Sequence, residues 1–288
     1  MKIGNEYQNI LVAINIYEDF HHVLHTAEKL AQKHHASLTI MMALNAPLEL
    51  IPMANEYQKS LEEEVSQKLT EEAEKLNVSK LKTVTHTGSS HGEIIKYAKS
   101  NPIDLIVLGS HGNHGLNLLL GSTSNSVLHQ SPCDVLTVRL GKGKPVSASH
   151  YNNILLATDL EAESYKLANK AKSFAQHYEG KIHTLKVQAD PTIAVSTYGI
   201  IPDMHHELKE NAEKQLAAWC QSYDLGDHYS CITGEATYEI TKKAEDNQHN
   251  LIILGSHQRS AIGRFFLGST ANAVLHHADT DVLVVRLK

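Results

Sequence analysis

Two short segments carry the residues best suited to chemistry, and each occurs twice. Gly109-Ser110-His111-Gly112 is followed, eight residues later, by Gly121-Ser122-Thr123. Gly255-Ser256-His257-Gln258 is followed, nine residues later, by Gly268-Ser269-Thr270. Glycine lets backbone N–H groups approach an anion closely. A Gly-Ser-Thr turn that opens a helix adds hydroxyls and a helix N-terminus, whose N–H groups and dipole favour a phosphate. The plainer alternative is that Ser122 and Ser269 only cap helices and the glycines only turn the chain, since short glycine patterns often arise without a ligand. No Walker lysine follows the glycines and no carboxylate pair adjoins these loops, so an enzyme is the weakest reading.

The motifs recur because the chain repeats. Tyr7-Gln8-Asn9-Ile10-Leu11-Val12-Ala13 returns as Tyr151-Asn152-Asn153-Ile154-Leu155-Leu156-Ala157, an offset of 144 in a chain of 288 residues. Leu105-Ile106-Val107-Leu108-Gly109-Ser110-His111 returns as Leu251-Ile252-Ile253-Leu254-Gly255-Ser256-His257. Asp134-Val135-Leu136-Thr137-Val138-Arg139-Leu140 returns as Asp281-Val282-Leu283-Val284-Val285-Arg286-Leu287, by which point the offset has drifted to 147. The expected organisation is one domain over 1–141, a small, polar, Pro-containing linker over 142–150, and a second domain over 151–288.

Within each copy the elements alternate. Apolar runs at 9–14 and 153–158 suit strands buried on both faces of a parallel sheet. Phe20, Val23, Leu24, Ala27, Leu30 and Ala31 recur at helical spacing, as do Leu167, Ala168, Ala171, Phe174, Ala175 and Tyr178. Second strands follow at 37–44 and 181–188. Long polar helices come next, with stripes Leu61, Val65, Leu69, Ala73, Leu76 and Leu208, Ala212, Leu216, Trp219. Third strands end at Gly88 and Gly234. Short helices are expected at about 93–100 and 239–246, fourth strands at 104–108 and 250–254, and last strands at 134–140 and 281–287. Such alternation gives right-handed βαβ units and a doubly wound α/β sheet. With strand order 3-2-1-4-5, a ligand belongs at the reversal between the first and fourth strands. The residues leaving those strands are Asn15 and Gly109 in copy one, Asp159 and Gly255 in copy two.

Bulk properties narrow the partners. A net charge of −6 argues against nucleic acid or an anionic membrane surface. No run of about 18 apolar residues could span a bilayer. No apolar segment stands behind Lys2, so a cytoplasmic protein without a signal peptide is expected. Cys133, Cys220 and Cys231 are odd in number, lack metal spacing and read as reduced thiols. The twenty histidines invite a metal reading, but His21, His22 and His25 sit on a polar helix face without a carboxylate signature, so no metal site is expected. His34-His35, His205-His206 and His276-His277 lie near helix ends, where histidine is unremarkable. Apolar, irregular stretches at 45–54 and 190–204 cover the crevice, bind an apolar ligand or partner, or pack on the helices of their own domain.

The Ile-Leu-Val/Leu-Ala openings, the Leu-Ile-x-Leu-Gly-Ser-His segments, the Leu-Gly-Ser turns and the Val-Leu-x-Val-Arg endings together resemble the universal stress protein family in its tandem form. The resemblance covers nearly the whole chain, twice. It implies two Rossmann-like (adenine nucleotide alpha hydrolase-like) domains, each with a five-stranded parallel sheet of order 3-2-1-4-5. In one subgroup it implies ATP, with Mg²⁺, held by a G-x2-G-x9-G-[S/T] loop, and an Asp after the first strand against the nucleoside. By that matching the adenosine residues are Thr158, Asp159 and Val187 in copy two, and Ile14, Asn15 and Ala43 in copy one. The phosphate residues are Gly255, His257, Gly268, Ser269 and Thr270, with Gly109, His111, Gly112, Gly121, Ser122 and Ser124 in copy one. Both copies depart from the pattern. Copy one has a loop one residue short and Asn15 in place of Asp. Copy two keeps Thr158-Asp159 and the nine-residue spacing but has Gln258 for the second glycine. Copy two is the better nucleotide candidate.

Three readings therefore compete. The first is a non-enzymatic stress-response protein binding ATP or AMP in at least one domain. The second is a degenerate scaffold of the same fold acting through protein partners or an apolar ligand. The third is a slow ATPase, with at most incidental hydrolysis. Relatives of one domain pair through the last strand, so the resemblance also implies that 134–140 and 281–287 pair within the chain, giving a pseudo-twofold monomer able to form a homodimer.

Overall fold

The computed structural model describes residues 7–44, 54–110, 120–140, 151–189, 202–256 and 267–287, with the backbone alone for 54–57 and 202–206. The chain divides into two compact units, Met1–Ser149 and His150–Lys288. The presumed linker 142–150 lies outside the described residues, as do His111, Gly112, His257 and most of the two apolar stretches.

The first unit runs β1 (Asn9–Ala13), α1 (His21–His34), β2 (Ser37–Leu44), α2 (Ala54–Glu74), β3 (Leu81–Thr87), α3 (Ser90–Ser100), β4 (Leu105–Ser110), α4 (Ser122–Gln130) and β5 (Asp134–Arg139). All its strand pairings are parallel, in the order β3-β2-β1-β4-β5. The second unit repeats this with β6 (Asn153–Ala157), α5 (Ser164–Tyr178), β7 (Lys181–Gln188), α6 (Pro202–Tyr223), β8 (Tyr229–Thr233), α7 (Ala236–Asp246), β9 (Leu251–Ser256), α8 (Ser269–His277) and β10 (Asp281–Arg286). Its order is β8-β7-β6-β9-β10, again all parallel. The expected 3-2-1-4-5 sheet is thus present in each unit.

The central strands are apolar because both faces are covered. Ile10, Leu11, Val12, Leu105, Ile106 and Val107 are fully buried, as are Ile154, Leu155, Leu156, Leu251, Ile252 and Ile253. Several boundaries differ from the sequence reading. The fourth strands extend through Gly109-Ser110 and Gly255-Ser256, because pairing with the last strand continues to Ser110↔Arg139 and Ser256↔Arg286. The short helices begin three residues earlier, at Ser90 and Ala236; in α7 the preceding Glu235 accepts from the N–H groups of Thr237 and Tyr238. Ala54 and Pro202 already belong to α2 and α6, and proline suits a first helical turn. In α6 the buried stripe is Ala212, Leu216 and Cys220, whereas Leu208 is exposed. His34 is fully buried at the end of α1, its ring edge-on to Tyr7 at 5.3 Å, and is no solvated helix terminus.

Each unit closes its sheet with the same buried polar bond. Tyr7 donates its hydroxyl to Asp134 at 3.0 Å, and Tyr151 to Asp281 at 2.7 Å. The bond ties the residue ahead of the first strand to the start of the last. Burial and the adjacent Asp281 carboxylate push the Tyr151 hydroxyl pKa far up, which keeps it a donor. In the second unit alone, His183 of β7 meets His249 ahead of β9 with ring centroids 5.7 Å apart. His183 bonds Ser230 Oγ at 2.9 Å and His249 bonds Asn153 Oδ1 at 3.0 Å. Burial, with Lys243, His249 and His228 adding, pushes His183 down to about 4. Burial also lowers His249. Thr39 occupies the position of His183 in the first unit.

Two outcomes follow. Tyr151→Phe removes a buried hydrogen bond to Asp281 and is expected to cost about 1–2 kcal/mol, read as a lower Tm at constant pH. A histidine whose folded pKa is depressed contributes stability above its ordinary value and loses it as pH falls toward the folded value. Tm is therefore expected to drop between about pH 6.5 and 4, and His183→Thr to flatten that slope.

Candidate functional site

Right-handed crossovers send the chain in opposite directions from β1 and β4, so their following helices cover opposite faces and leave a crevice at the carboxyl ends. In the second unit a cavity of about 380 Å³ occupies this place. Thr158 and Asp159 border it after β6, Leu185 and Val187 from β7, Leu254 and Gly255 from β9, and Gly268, Ser269, Thr270 and Ala271 at the start of α8. All the described residues named for copy two are thus brought to one cavity. In the first unit a cavity of about 690 Å³ is lined by Ile14, Asn15, Ala43, Gly109, Gly121, Ser122, Thr123 and Ser124, among others. Every described residue named for copy one borders it as well.

The structure revises how these residues work. Gly121 and Gly268 are themselves the cap residues of α4 and α8, with ordinary φ of −59° and −56°, and neither helix has a side-chain cap. Ser122 and Ser269 are therefore the first helical residues and do not cap. Both helices present their first N–H groups at the cavity without a capping side chain, the arrangement an anion can complete. Ser124 is buried, and its hydroxyl donates to the Gly109 carbonyl at 2.9 Å. It ties α4 to β4, and Ala271 stands at its position in copy two.

Gly109 and Gly255 are needed for packing. Among the described glycines only Gly88 and Gly226 have a positive φ. A Cβ on Gly255 would lie 2.5 Å from Leu287 Cδ1, and one on Gly109 would lie 3.0 Å from both Val23 Cγ2 and Leu140 Cδ1. Gly268 differs, since a Cβ there meets nothing within 4 Å.

The turns after the first strands are held by their own side chains. Asp159 is exposed, and its Oδ1 accepts from the Glu161 N–H at 3.1 Å and the Ser164 hydroxyl at 3.0 Å. Leu160 sits at φ 65°, its N–H donating to Thr158 Oγ1 at 3.1 Å. Asn15 accepts from the Tyr17 N–H at 3.2 Å and donates through Nδ2 to Glu18 Oε1 at 2.9 Å.

Sequence reasoning missed several walls. Ile94 of α3 and Ile240 of α7 line their cavities, as do Tyr17, Glu18, Asp19 and Ser90 in the first unit. The repeat itself held a signal, because Ile94 and Ile240 are corresponding apolar positions. One chemical pattern was also passed over. Gly88-Ser89-Ser90-His91-Gly92 has Gly-x-Ser-x-Gly spacing between a strand and a helix. A nucleophile elbow needs a strained serine at a sharp turn. Ser90 is instead the first residue of α3, outside the positive-φ set, and among the described residues no hydrogen bond joins it to a histidine. Burial raises the Cys220 and Cys231 thiols, which disfavours the reactive thiolate. Among the described residues no group of three or more His, Cys, Asp or Glu converges as a metal site, and no helix is long and apolar enough to cross a membrane.

The family model for universal stress proteins matches residues 6–139 and again 150–286. The chain belongs to the universal stress protein family. A universal stress protein A homolog of Coxiella burnetii is 47% identical over 78 residues, which is 27% of this chain and 53% of that relative. A universal stress protein of Mycolicibacterium smegmatis is 27% identical over 98% of both chains, so the doubled form has a full-length counterpart. The crystal structure of a universal stress protein from Archaeoglobus fulgidus superposes with a TM-score of 0.74, covering 99% of each chain at 20% identity, a likeness of fold.

The two glycine classes should separate in experiment. Gly255→Ala forces Leu287 aside and is expected to cost about 1–3 kcal/mol. Gly268→Ala is expected to change stability by less than about 1 kcal/mol. Thermal melts of both variants check the difference.

Proposed function

We propose that this tandem universal stress protein binds an adenine nucleotide, ATP or AMP, foremost in its second unit, and acts as a non-catalytic regulatory protein of the cytoplasm. One observation carries the reading. Thr158-Asp159 and Gly268-Ser269-Thr270 face one cavity whose far edge is a helix N-terminus without a capping side chain. Main-chain N–H groups there suit the phosphates, while Asp159 offers acceptors to sugar hydroxyls. The walls from Leu185, Val187, Ile240 and Leu254 are apolar and suit a base. Bound ATP brings Mg²⁺ as its counter-ion. Asp159 alone cannot both hold that ion and activate a water, so hydrolysis is at most incidental.

The second unit is preferred because it keeps the aspartate and the nine-residue loop spacing. The first unit is the secondary site, and its larger cavity supports that role.

A ligand that binds only the folded state raises Tm with concentration, by about 2.7 kcal/mol of stability at a hundred times Kd. ATP and AMP are expected to raise the Tm of the full chain in this way, by several degrees. Asp159→Ala is expected to remove most of that shift; it also loses the bonds to Glu161 and Ser164 and lowers the Tm without ligand by a few degrees, so the shift is read against the variant's own ligand-free Tm. A shift of unchanged size in Asp159→Ala would move the main site elsewhere.

A further inference from the structure

We propose that in the first unit Glu18 supplies the acceptor for the ligand's hydroxyl groups and Asn15 positions it, so that the carboxylate of this site has moved three residues along the turn. The inference rests on the nucleotide reading of the cavities and assigns a residue that reading does not.

Asn15 and Glu18 line the same cavity. The Asn15 side chain is used at both ends. Its oxygen accepts from the Tyr17 N–H at 3.2 Å and its nitrogen donates to Glu18 Oε1 at 2.9 Å. The Glu18 N–H returns a bond to the Asn15 carbonyl at 3.0 Å. An amide can donate and accept at once, whereas a carboxylate only accepts. An aspartate at position 15 would therefore set two anionic oxygens at hydrogen-bond distance. The second unit is built the other way. Asp159 meets two donors, the Glu161 N–H and the Ser164 hydroxyl, and the position matching Glu18 is Ala162. The first turn brings Glu18 and Asp19 to its cavity, and of the two Glu18 is the one that the Asn15 amide holds; in the second unit the held carboxylate is Asp159 itself.

The cavity is bounded elsewhere by Gly121, Ser122 and Thr123 at a helix N-terminus suited to an anion. A ligand with phosphate at one end and a vicinal hydroxyl pair at the other matches both borders. A carboxylate accepts from such a pair at its two oxygens. Glu18 is exposed, so its substitution leaves the core untouched.

The test uses the full chain in an Asp159→Ala background and compares ATP with 2′,3′-dideoxy-ATP by titration calorimetry. The parent is expected to prefer ATP by roughly tenfold, the scale of a hydrogen bond to a charged group. Glu18→Gln is expected to abolish that preference with an unchanged Tm. Asn15→Asp, which restores the family's residue, is expected to weaken ATP binding roughly fivefold, and Asn15→Asp with Glu18→Gln to recover it. A preference that survives Glu18→Gln, or tighter binding in Asn15→Asp, overturns the assignment while leaving the nucleotide reading intact. Binding of neither compound to the parent overturns both for this unit.

Discussion

A Cβ at position 255 would lie 2.5 Å from Leu287 Cδ1, so the leucine can close over the end of the fourth strand only while that position is glycine. The fourth strand of each unit runs two residues past its apolar core, through Gly255-Ser256 or Gly109-Ser110. The glycine lets the leucine after the last strand close over it. The serine then donates to a carbonyl of that last strand, Ser256 to Val285 at 3.2 Å and Ser110 to Val138 at 3.1 Å. The end of the strand is thus held by packing on one side and a hydrogen bond on the other. Gly109-Ser110 and Gly255-Ser256 are thereby held in place, and pre-fixed groups bind with less ordering cost than mobile ones. The cavity is a consequence of strand order, but its usefulness depends on this anchor.

Much of the architecture was legible because the sheet is parallel and covered on both faces, which makes its strands continuous apolar runs at a repeat of 144 to 147 residues. What stayed hidden depended on partners in space. No local pattern says that Gly109-Ser110 remains paired, because the pairing is decided by residues 138 and 139. Apolar spacing put Leu208 and Trp219 in the stripe of the long helix, whereas burial selects Cys220, a small apolar group in practice. His34 passed as a helix-end histidine although the ring of Tyr7 covers it. Within the site, motif residues could be read from the repeat. The repeat marked Ile94 and Ile240 only as corresponding apolar positions and gave no mark for Glu18, because helical or turn periodicity does not tell which cavity a residue faces. The roles of Gly109 and Gly121 were also exchanged in kind. The pattern offered backbone approaching an anion, or plain turns, for both, while the structure uses one for close packing and the other as a helix cap.

The two units retain different things for different physical reasons. Each keeps a tyrosine ahead of its first strand bonded to a buried aspartate at the start of its last. Losing either residue removes a buried hydrogen bond from the core, so the two are retained together. At the cavity rim the groups are wetter and exchange is cheaper. Asn15 of one copy stands where the other has Asp159, while behind the rim the buried Ser124 stands where the other has Ala271. At positions 15 and 159 the exchange obeys a local rule, since each side chain keeps partners of complementary polarity. Asn15 with Glu18, and Asp159 with Ser164, are two solutions to that rule on one backbone plan.

It follows that a departure from a family motif is poor evidence of a decayed site when it is read one position at a time. Asn in place of Asp removes a charge from position 15, but Glu18 returns a charge to the same cavity. The quantity a polar ligand meets is the set of donors and acceptors lining the pocket, which neighbouring positions of the turn supply together. Ser90 makes the converse point. It satisfies a nucleophile motif letter by letter, yet it enters α3 as an ordinary helical residue. Motif letters constrain chemistry only through the backbone that carries them. In this chain the backbone supports two anion-ready helix ends beside two carboxylate-bearing turns, and it gives Ser90 no base to activate it among the described residues.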